Sequence, residues 1–130
     1  MKTVVVTGAS QGIGAACVRA LLVQGVRVVG IARSAEALRL LSLEKLGGGG
    51  RFEYVVGDIC EEAACERLLE LVGPCLDGLI LNAARVDPVC RTETLELAAL
   101  REIYEVNLFA NVRLVQMAWS RLRAAPQPRL

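Results

Sequence analysis

The 130-residue sequence contains no histidine, and its five cysteines include no Cys-x-x-Cys pair. We therefore expect no metal site, because histidines and closely spaced cysteines are the usual ligands of a structural metal. The odd number of cysteines favours reduced thiols in a cytosolic protein. Cys17 lies on the apolar face of a predicted helix and is interpreted as a core residue.

The sequence also lacks an excess of charge of one sign. Fifteen basic and fourteen acidic residues give a net charge of +1, and the basic residues are scattered along the chain. Nucleic-acid binders concentrate positive charge on one surface, so nucleic acid is excluded as a partner.

No apolar run is long enough for a membrane helix. The longest apolar region, 13–32, is interrupted by Arg19, Gln24 and Arg27, and no targeting segment stands out. We therefore expect no membrane association and a cytoplasmic location.

Apolar residues are abundant instead, at 54% of the chain with a mean hydropathy of +0.44. Strands that are buried on both faces produce such a composition, and the excess also indicates apolar surface left uncovered. A chain of this length forms one domain that buries roughly two-thirds of its unfolded surface.

Apolar periodicity and turn residues predict four strands that alternate with four helices. The predicted strands are 2–6, 26–32, 52–56 and 78–81, and the predicted helices are 12–23, 35–46, 61–72 and 97–122. Ser34 is the predicted N-cap of the second helix. The glycines at 47–50 are interpreted as a solvated turn rather than a second phosphate site. We expect residues 1–123 to form the domain and the tail 124–130 to fray.

This alternation predicts an α/β fold, a Rossmann-like doubly wound parallel sheet with right-handed crossovers and strand order 3-2-1-4. In that order the chain changes direction beside the first strand. A crevice then opens at the carboxyl ends of strands 1 and 4.

A glycine-rich stretch lies between the first strand and the first helix. Its sequence is Thr7-Gly8-Ala9-Ser10-Gln11-Gly12-Ile13-Gly14. Glycines allow the backbone to turn tightly and approach a ligand closely, and the helix that follows begins with free N–H groups and partial positive charge. At this position in an α/β chain the stretch predicts a cradle for the pyrophosphate of a dinucleotide.

Four motifs in chain order resemble those of the short-chain dehydrogenase/reductase family, which are NAD(P)-dependent oxidoreductases on a Rossmann fold. The motifs are Thr7-Gly8-x-x-x-Gly12-x-Gly14, Asp58 after strand 3, Asn82-Ala83-Ala84 after strand 4, and Asn107 in the last helix. The match covers essentially the whole chain. Segments 28–33, 54–59 and 79–89 look most like fungal carbonyl reductases of the benzil-reductase or sepiapterin-reductase-like kind.

The resemblance implies a set of cofactor contacts. The implied residues are Thr7, Gly8, Ser10, Gln11, Gly12, Ile13 and Gly14 at the pyrophosphate turn, Asp58 and Ile59 near the adenine, and Asn82, Ala83 and Ala84 near the adenosine ribose. Two alternatives stay open, because Asp58 could cap the following helix and Asn82 could serve only as a turn residue. The family's Asn-Ala-Gly ends in Ala84 here, and the bulky Arg85 follows.

The end of the second strand bears on the choice of cofactor. An NAD enzyme is expected to place an acidic residue there for the ribose 2′-hydroxyl, whereas this chain has Ala32 and then Arg33. Arg33 could pair with a 2′-phosphate, so we expect NADP(H) to be preferred over NAD(H). The alternative is a solvated arginine, and Gln11 stands where many similar NADP-dependent members carry a second basic residue.

The family's catalysis uses a serine and a Tyr-x-x-x-Lys pair, and this pair is missing. Four residues beyond Tyr54 and Tyr104 stand Asp58 and Leu108. Asn107 matches the family's helix asparagine of the proton relay. Because its partners are missing, a purely structural hydrogen bond is an equal alternative.

Two hypotheses follow. In the first, the chain is the cofactor-binding half of an NADP-dependent carbonyl reductase with a small-molecule substrate, shortened before strand 5 by truncation or gene-model error and inactive alone. In the second, it is a non-catalytic nucleotide-binding or interaction module, or a decayed gene product. Either leaves the edge of strand 4 and one helix face uncovered, which is compatible with a homo-oligomer.

Overall fold

The computed structural model describes residues Met1 to Leu130. The strands are β1 (Thr3–Thr7), β2 (Arg27–Ala32), β3 (Arg51–Val56) and β4 (Gly78–Ile80). The helices are α1 (Gly12–Val23), α2 (Ala35–Ser42), α3 (Glu62–Val72), α4 (Leu97–Tyr104) and α5 (Ala110–Ala124). A 3₁₀ turn at Thr92–Thr94 precedes α4, and a π-helical turn at Glu105–Phe109 joins α4 to α5.

The four strands form one parallel sheet in the order β3-β2-β1-β4, which confirms the predicted fold class and strand order. Val5 in β1 pairs with Val29 in β2 and with Leu79 in β4. These β-branched and aliphatic residues suit strands that are covered on both faces.

Helices cover the sheet on both sides and divide the core in two. Val5 points into a cluster of 16 buried residues that includes α3 and α5, and its neighbour Val6 points into a cluster of 9 that includes α1 and α2. This alternation follows from the two-residue period of a strand. All the helix–strand connections therefore bring the strands' carboxyl ends to one edge of the sheet.

The second helix is shorter than predicted. The Ser34 hydroxyl accepts a hydrogen bond from the Ala37 N–H at 3.3 Å, which confirms the predicted N-cap, but the helix ends at Ser42 rather than at residue 46. Beyond this end, Arg19 of α1 donates to both carboxylate oxygens of Glu44 at 2.7 and 2.6 Å. Glu44 thus contacts α1 where the prediction placed the last helical turn.

The last helix is interrupted by the π-helical turn, so the prediction of one regular helix over 97–122 was wrong. Helical spacing of the apolar residues over 97–122 also predicts that Val112 and Trp119 face the core, but they are 48% and 53% exposed. The buried positions of α5 are Ala110, Leu114, Ala118 and Leu122. A π-helical turn inserts one residue into the helical register, which rotates the apolar face that follows it.

The tail does not fray as predicted. Arg129 forms a parallel bridge with Gly78 on the free edge of β4. Its N–H donates to the Asp77 carbonyl and its carbonyl accepts from the Leu79 N–H, both at 3.0 Å. The unpaired polar groups of a sheet edge favour such pairing, which outweighs the disorder expected of a polar terminus.

Arg27 connects three elements at the amino edge of the sheet. Its Nε donates to Glu53 of β3 at 2.7 Å, and its two terminal nitrogens donate to the carbonyls of Val72 and Leu71 at 3.1 and 2.5 Å. These carbonyls belong to the last turn of α3, where a cation is favourable.

We predict that Arg27→Met lowers the free energy of unfolding by about 1–3 kcal/mol, because it leaves Glu53 and two helix-end carbonyls without their charged donor. Urea denaturation measures the change. The matched control is Arg51→Met, since Arg51 also pairs with Glu53, but at 3.7 Å and with 69% of its side chain exposed. Its loss should cost less than about 0.5 kcal/mol, and equal losses for the two variants would contradict the prediction.

Candidate functional site

The glycine-rich turn after β1 has the backbone geometry that its glycines predict. Gly8 and Gly12 have positive φ angles of 64° and 53°, a region that other residues rarely adopt. A Cβ on Gly14 would collide with the Gly8 carbonyl, whereas a Cβ on Gly12 would have no atom within 4 Å. Gly14 therefore allows α1 to pack closely on the turn, and Gly12 leaves its own backbone open to a ligand.

The amino end of α1 faces this open space. Its N-cap, Gln11, makes no side-chain hydrogen bond to the helix, and the first turn contains no acidic residue. The leading N–H groups therefore lack a side-chain partner and carry the positive end of the helix dipole. Ile13 in this turn is 75% exposed, and Ser10 is half-buried beside it. The arrangement suits a bound phosphate.

Thr7 joins the ends of β1 and β4. It is fully buried, and its hydroxyl oxygen accepts hydrogen bonds from the backbone N–H groups of Asn82 and Ala83 at 2.9 and 3.0 Å. The same hydroxyl lies 3.4 Å from the Ile80 carbonyl, to which it donates. One side chain thus sets where the chain leaves β4.

Asn82 completes this connection from the other side. Its Nδ2 donates to the carbonyls of Thr7 and Gly8 at 3.0 and 3.3 Å. Asn82 is therefore more than a turn residue, since it fixes the start of the glycine-rich turn relative to β4. Ala83 is half-buried and Ala84 is exposed at the same edge.

Asp58 lies in the turn after β3. Its Oδ1 accepts the Cys60 N–H at 2.9 Å, and Oδ2 accepts no backbone N–H. The N-cap of α3 is Glu61, so the alternative that Asp58 caps this helix was wrong. Ile59 is buried in the core, which leaves only its backbone available to a ligand.

The thiol of Cys60 stays protonated next to Asp58. Burial, followed by the negative charge of Asp58 and a hydrogen bond with it, raises the pKa of Cys60 to about 11. The folded state therefore favours the neutral thiol at all pH values below this pKa. No ionised thiol competes with the Asp58 carboxylate for a ligand.

Arg33 follows β2 directly and is exposed. Its side chain forms neither a hydrogen bond nor a salt bridge within the chain. Two residues earlier, the Ile31 carbonyl accepts the N–H of Ala9 from the glycine-rich turn at 3.2 Å. Arg33 is thus a free cation at the edge of the sheet where that turn lies.

Asn107 lies in the π-helical turn and is exposed rather than buried. Its Oδ1 accepts the Arg85 N–H at 2.7 Å, and its Nδ2 donates to the Arg85 carbonyl at 2.8 Å. The Arg85 side chain in turn donates to Glu102 of α4 at 2.7 Å. Asn107 therefore has the structural role that the sequence left open, since its side chain binds the backbone of the loop after β4.

Sequence reasoning missed Arg113 of α5. Its Nη2 donates to the Cys60 carbonyl at 2.9 Å, in the same turn as Asp58. The available signal was a charged residue next to Leu114 on a helix side that is otherwise apolar.

None of the helices combines the length and hydropathy that a membrane crossing requires.

Comparisons with known proteins agree with this geometry. Residues 2–128 match the model of the short chain dehydrogenase family. An uncharacterised oxidoreductase of Saccharomyces cerevisiae is 37% identical over 94% of this chain and 49% of its own length. The (S)-benzoin-forming benzil reductase of the same yeast is 30% identical over 96% of this chain and 50% of its own length.

Solved structures lead to the same family. The crystal structure of the enzyme KRED1-Pglu superposes with a TM-score of 0.89 at 34% identity, over 99% of this chain and 55% of that chain. A metagenomic short-chain oxidoreductase in complex with NADP superposes with a TM-score of 0.85 at 33% identity, over 98% of this chain and 59% of that chain.

This chain belongs to the short-chain dehydrogenase family, an oxidoreductase family that binds nicotinamide cofactors. The resemblance seen in the sequence is confirmed, including its fungal reductase relatives. The chain spans about half the length of the curated relatives that it matches.

We predict that Thr7→Val destabilises the protein by about 2–3 kcal/mol, because it leaves two backbone N–H groups without an acceptor. Thr7→Ser keeps the hydroxyl and removes one methyl group, so it should lower the free energy of unfolding by only about 1 kcal/mol. Urea denaturation compares the two variants. A Val variant as stable as the Ser variant would show that the hydroxyl does not hold β1 and β4 together.

Proposed function

We propose that this chain binds NADP(H) at the carboxyl ends of its strands and that, as part of a longer reductase, it holds the cofactor for the reduction of a small-molecule carbonyl. The observation that carries the proposal is the open backbone at Gly12 in front of the free amino end of α1. An unpartnered cation, Arg33, lies at the same edge of the sheet.

The pyrophosphate is assigned to the glycine-rich turn. The contacting residues are Thr7, Gly8, Ser10, Gln11, Gly12, Ile13 and Gly14. Backbone N–H groups at the start of α1 would donate to the phosphate oxygens, where the helix dipole favours negative charge.

The preference for NADP(H) over NAD(H) is assigned to Arg33. The chain has Ala32, rather than an acidic side chain, before it, so nothing there would accept a ribose 2′-hydroxyl or repel a 2′-phosphate. A charge-assisted contact with the phosphate contributes about 1.5–3 kcal/mol, roughly ten- to a hundredfold in affinity.

The adenine is assigned to the turn after β3. One carboxylate oxygen of Asp58 accepts a hydrogen bond from the Cys60 N–H, and the other oxygen can accept a hydrogen bond from the adenine amino group. Asn82, Ala83 and Ala84 would line the adenosine ribose, where the Thr7 and Asn82 hydrogen bonds hold β1 and β4 together.

The proposed reaction, reduction of a carbonyl, requires a hydride and a proton. When bound, a reduced nicotinamide supplies hydride, and the carbonyl oxygen then needs a proton donor within reach. Asn107 is the relay residue in this proposal, and the 130 residues contain no Tyr-x-x-x-Lys pair. We therefore propose that this chain by itself binds the cofactor and does not reduce a carbonyl. Benzil is a reasonable test substrate, because a benzil reductase is among the relatives.

We also propose a cytoplasmic location. All five cysteines are free thiols, as expected in a reducing compartment. A solved structure described as a cytoplasmic protein from Saccharomyces cerevisiae is 32% identical and superposes with a TM-score of 0.85.

A second candidate function is a non-catalytic module that binds a nucleotide or a second copy of the chain. The observation that favours it is the exposed apolar surface on the α4 side, where Leu97, Tyr104 and Phe109 are more than half exposed. This function predicts a concentration-dependent change in mass without turnover of any carbonyl.

We predict that Arg33→Ala weakens NADPH binding by about ten- to a hundredfold and leaves NADH binding within about twofold, because only NADPH carries the 2′-phosphate. Quenching of Trp119 fluorescence or calorimetry measures both affinities. The control is Arg51→Ala, which removes an exposed arginine from the start of β3 and should change neither affinity.

Two results would contradict the proposed function. If Arg33→Ala keeps the same preference for NADPH over NADH, Arg33 does not bind the 2′-phosphate. Steady oxidation of NADPH by benzil with the 130-residue chain alone would refute the claim that the proton donor is missing.

A further inference from the structure

Arg113 reaches from α5 to the turn that contains Asp58. Its Nη2 donates to the carbonyl of Cys60 at 2.9 Å and lies 3.5 Å from the carbonyl of Ile59. The guanidinium also pairs with Glu105 of the π-helical turn at 3.5 Å. Arg113 therefore connects the last helix to the turn after β3.

The peptide group between Ile59 and Cys60 lies between Arg113 and Asp58. Its N–H donates to Asp58 Oδ1 at 2.9 Å. Its carbonyl accepts from the Cys65 thiol at 3.3 Å and lies 3.5 Å from Arg113 Nη2, whose shorter hydrogen bond goes to the next carbonyl, that of Cys60. Hydrogen bonds at both ends fix the plane of a peptide, and a cationic donor at the carbonyl polarises the N–H at the other end. Arg113 therefore contacts the carbonyls on both sides of Cys60, the residue whose N–H binds the Asp58 carboxylate.

The Arg113 side chain is only partly satisfied by these contacts. The Arg113 Nε is buried and has no hydrogen-bond partner, and a buried unpaired donor destabilises the folded state. The side chain is 32% exposed and lies beside Leu114, which belongs to the core. A methionine would keep the packing of the aliphatic stem without the unpaired N–H.

We propose that Arg113 is a positioning residue for nucleotide binding, which acts through the Ile59–Cys60 peptide to hold the Asp58 carboxylate where it accepts the adenine amino group. This inference rests on the proposed function, in which Asp58 contacts the adenine of NADP(H). Arg113 itself touches no part of the cofactor in this arrangement.

The test compares two nucleotides on the 130-residue chain. NADPH carries the adenine amino group, and reduced nicotinamide hypoxanthine dinucleotide phosphate carries an oxygen in its place. We expect the unaltered chain to bind NADPH about tenfold more tightly, because Asp58 accepts a hydrogen bond only from the amino group. Arg113→Met should reduce this ratio to about twofold or less, and Arg113→Lys, which keeps the charge, should restore part of it.

The matched control is Arg121→Met. Arg121 lies on the same helix and its Nε also donates to a backbone carbonyl, that of Gly73 at 2.9 Å. Gly73 follows α3 at the opposite edge of the sheet, so the nucleotide ratio should not change. A residue with a purely structural role would shift the urea midpoint without changing this ratio.

Hydrogen exchange of the Cys60 amide separates the failure of this inference from the failure of the proposed function. We expect faster exchange of this amide in Arg113→Met than in the unaltered chain, with unchanged exchange in Arg121→Met. If the unaltered chain does not distinguish the two nucleotides, the contact between Asp58 and adenine is wrong, and the positioning role falls with it. If it distinguishes them and Arg113→Met keeps both the full ratio and slow exchange, only the inference about Arg113 is overturned.

Discussion

The hydroxyl of Thr7 holds together the two strands between which the candidate site opens. It accepts two backbone N–H groups just after β4, while the Asn82 side chain donates back to the carbonyls of Thr7 and Gly8. The glycine-rich turn begins from this joint, and the close approach of Gly14 to the Gly8 carbonyl sets where α1 starts. The position of the helix's free amide groups therefore depends on a few hydrogen bonds at the end of one strand.

The last helix supports the other two loops of the site. Asn107 binds the backbone of the loop after β4 at both its N–H and its carbonyl, and Arg113 binds the turn after β3. The π-helical turn between α4 and α5 contains Asn107 and also supplies Glu105, which pairs with Arg113. This turn therefore places Asn107 beside the loop after β4 and Glu105 beside Arg113.

Much of the fold could be predicted from the sequence, because its signals are local. The β-branched runs, the glycine turn and the Ser34 cap are read over a few residues, and each appeared as predicted. The end of α2 was predicted four residues too late, and the π-helical turn and the bridge at Arg129 were not predicted. Two of these regions contact a partner distant in sequence: Arg19 binds Glu44 just after α2, and β4 pairs with Arg129. Local periodicity carries no information about such partners.

The sequence by itself determined the fold class, the strand order, the family and the place of the glycine-rich turn, because spacing and glycine positions encode them. The tertiary structure alone decided what Asp58, Asn82 and Asn107 bind within the chain, and it revealed Arg113. Their side chains could equally have capped a helix or faced solvent. Asn107 and Arg113 meet their partners because the last helix packs against the sheet, and Asn82 meets the carbonyls of Thr7 and Gly8 because β4 pairs with β1. The contact of Asp58 with the Cys60 N–H lies within one turn.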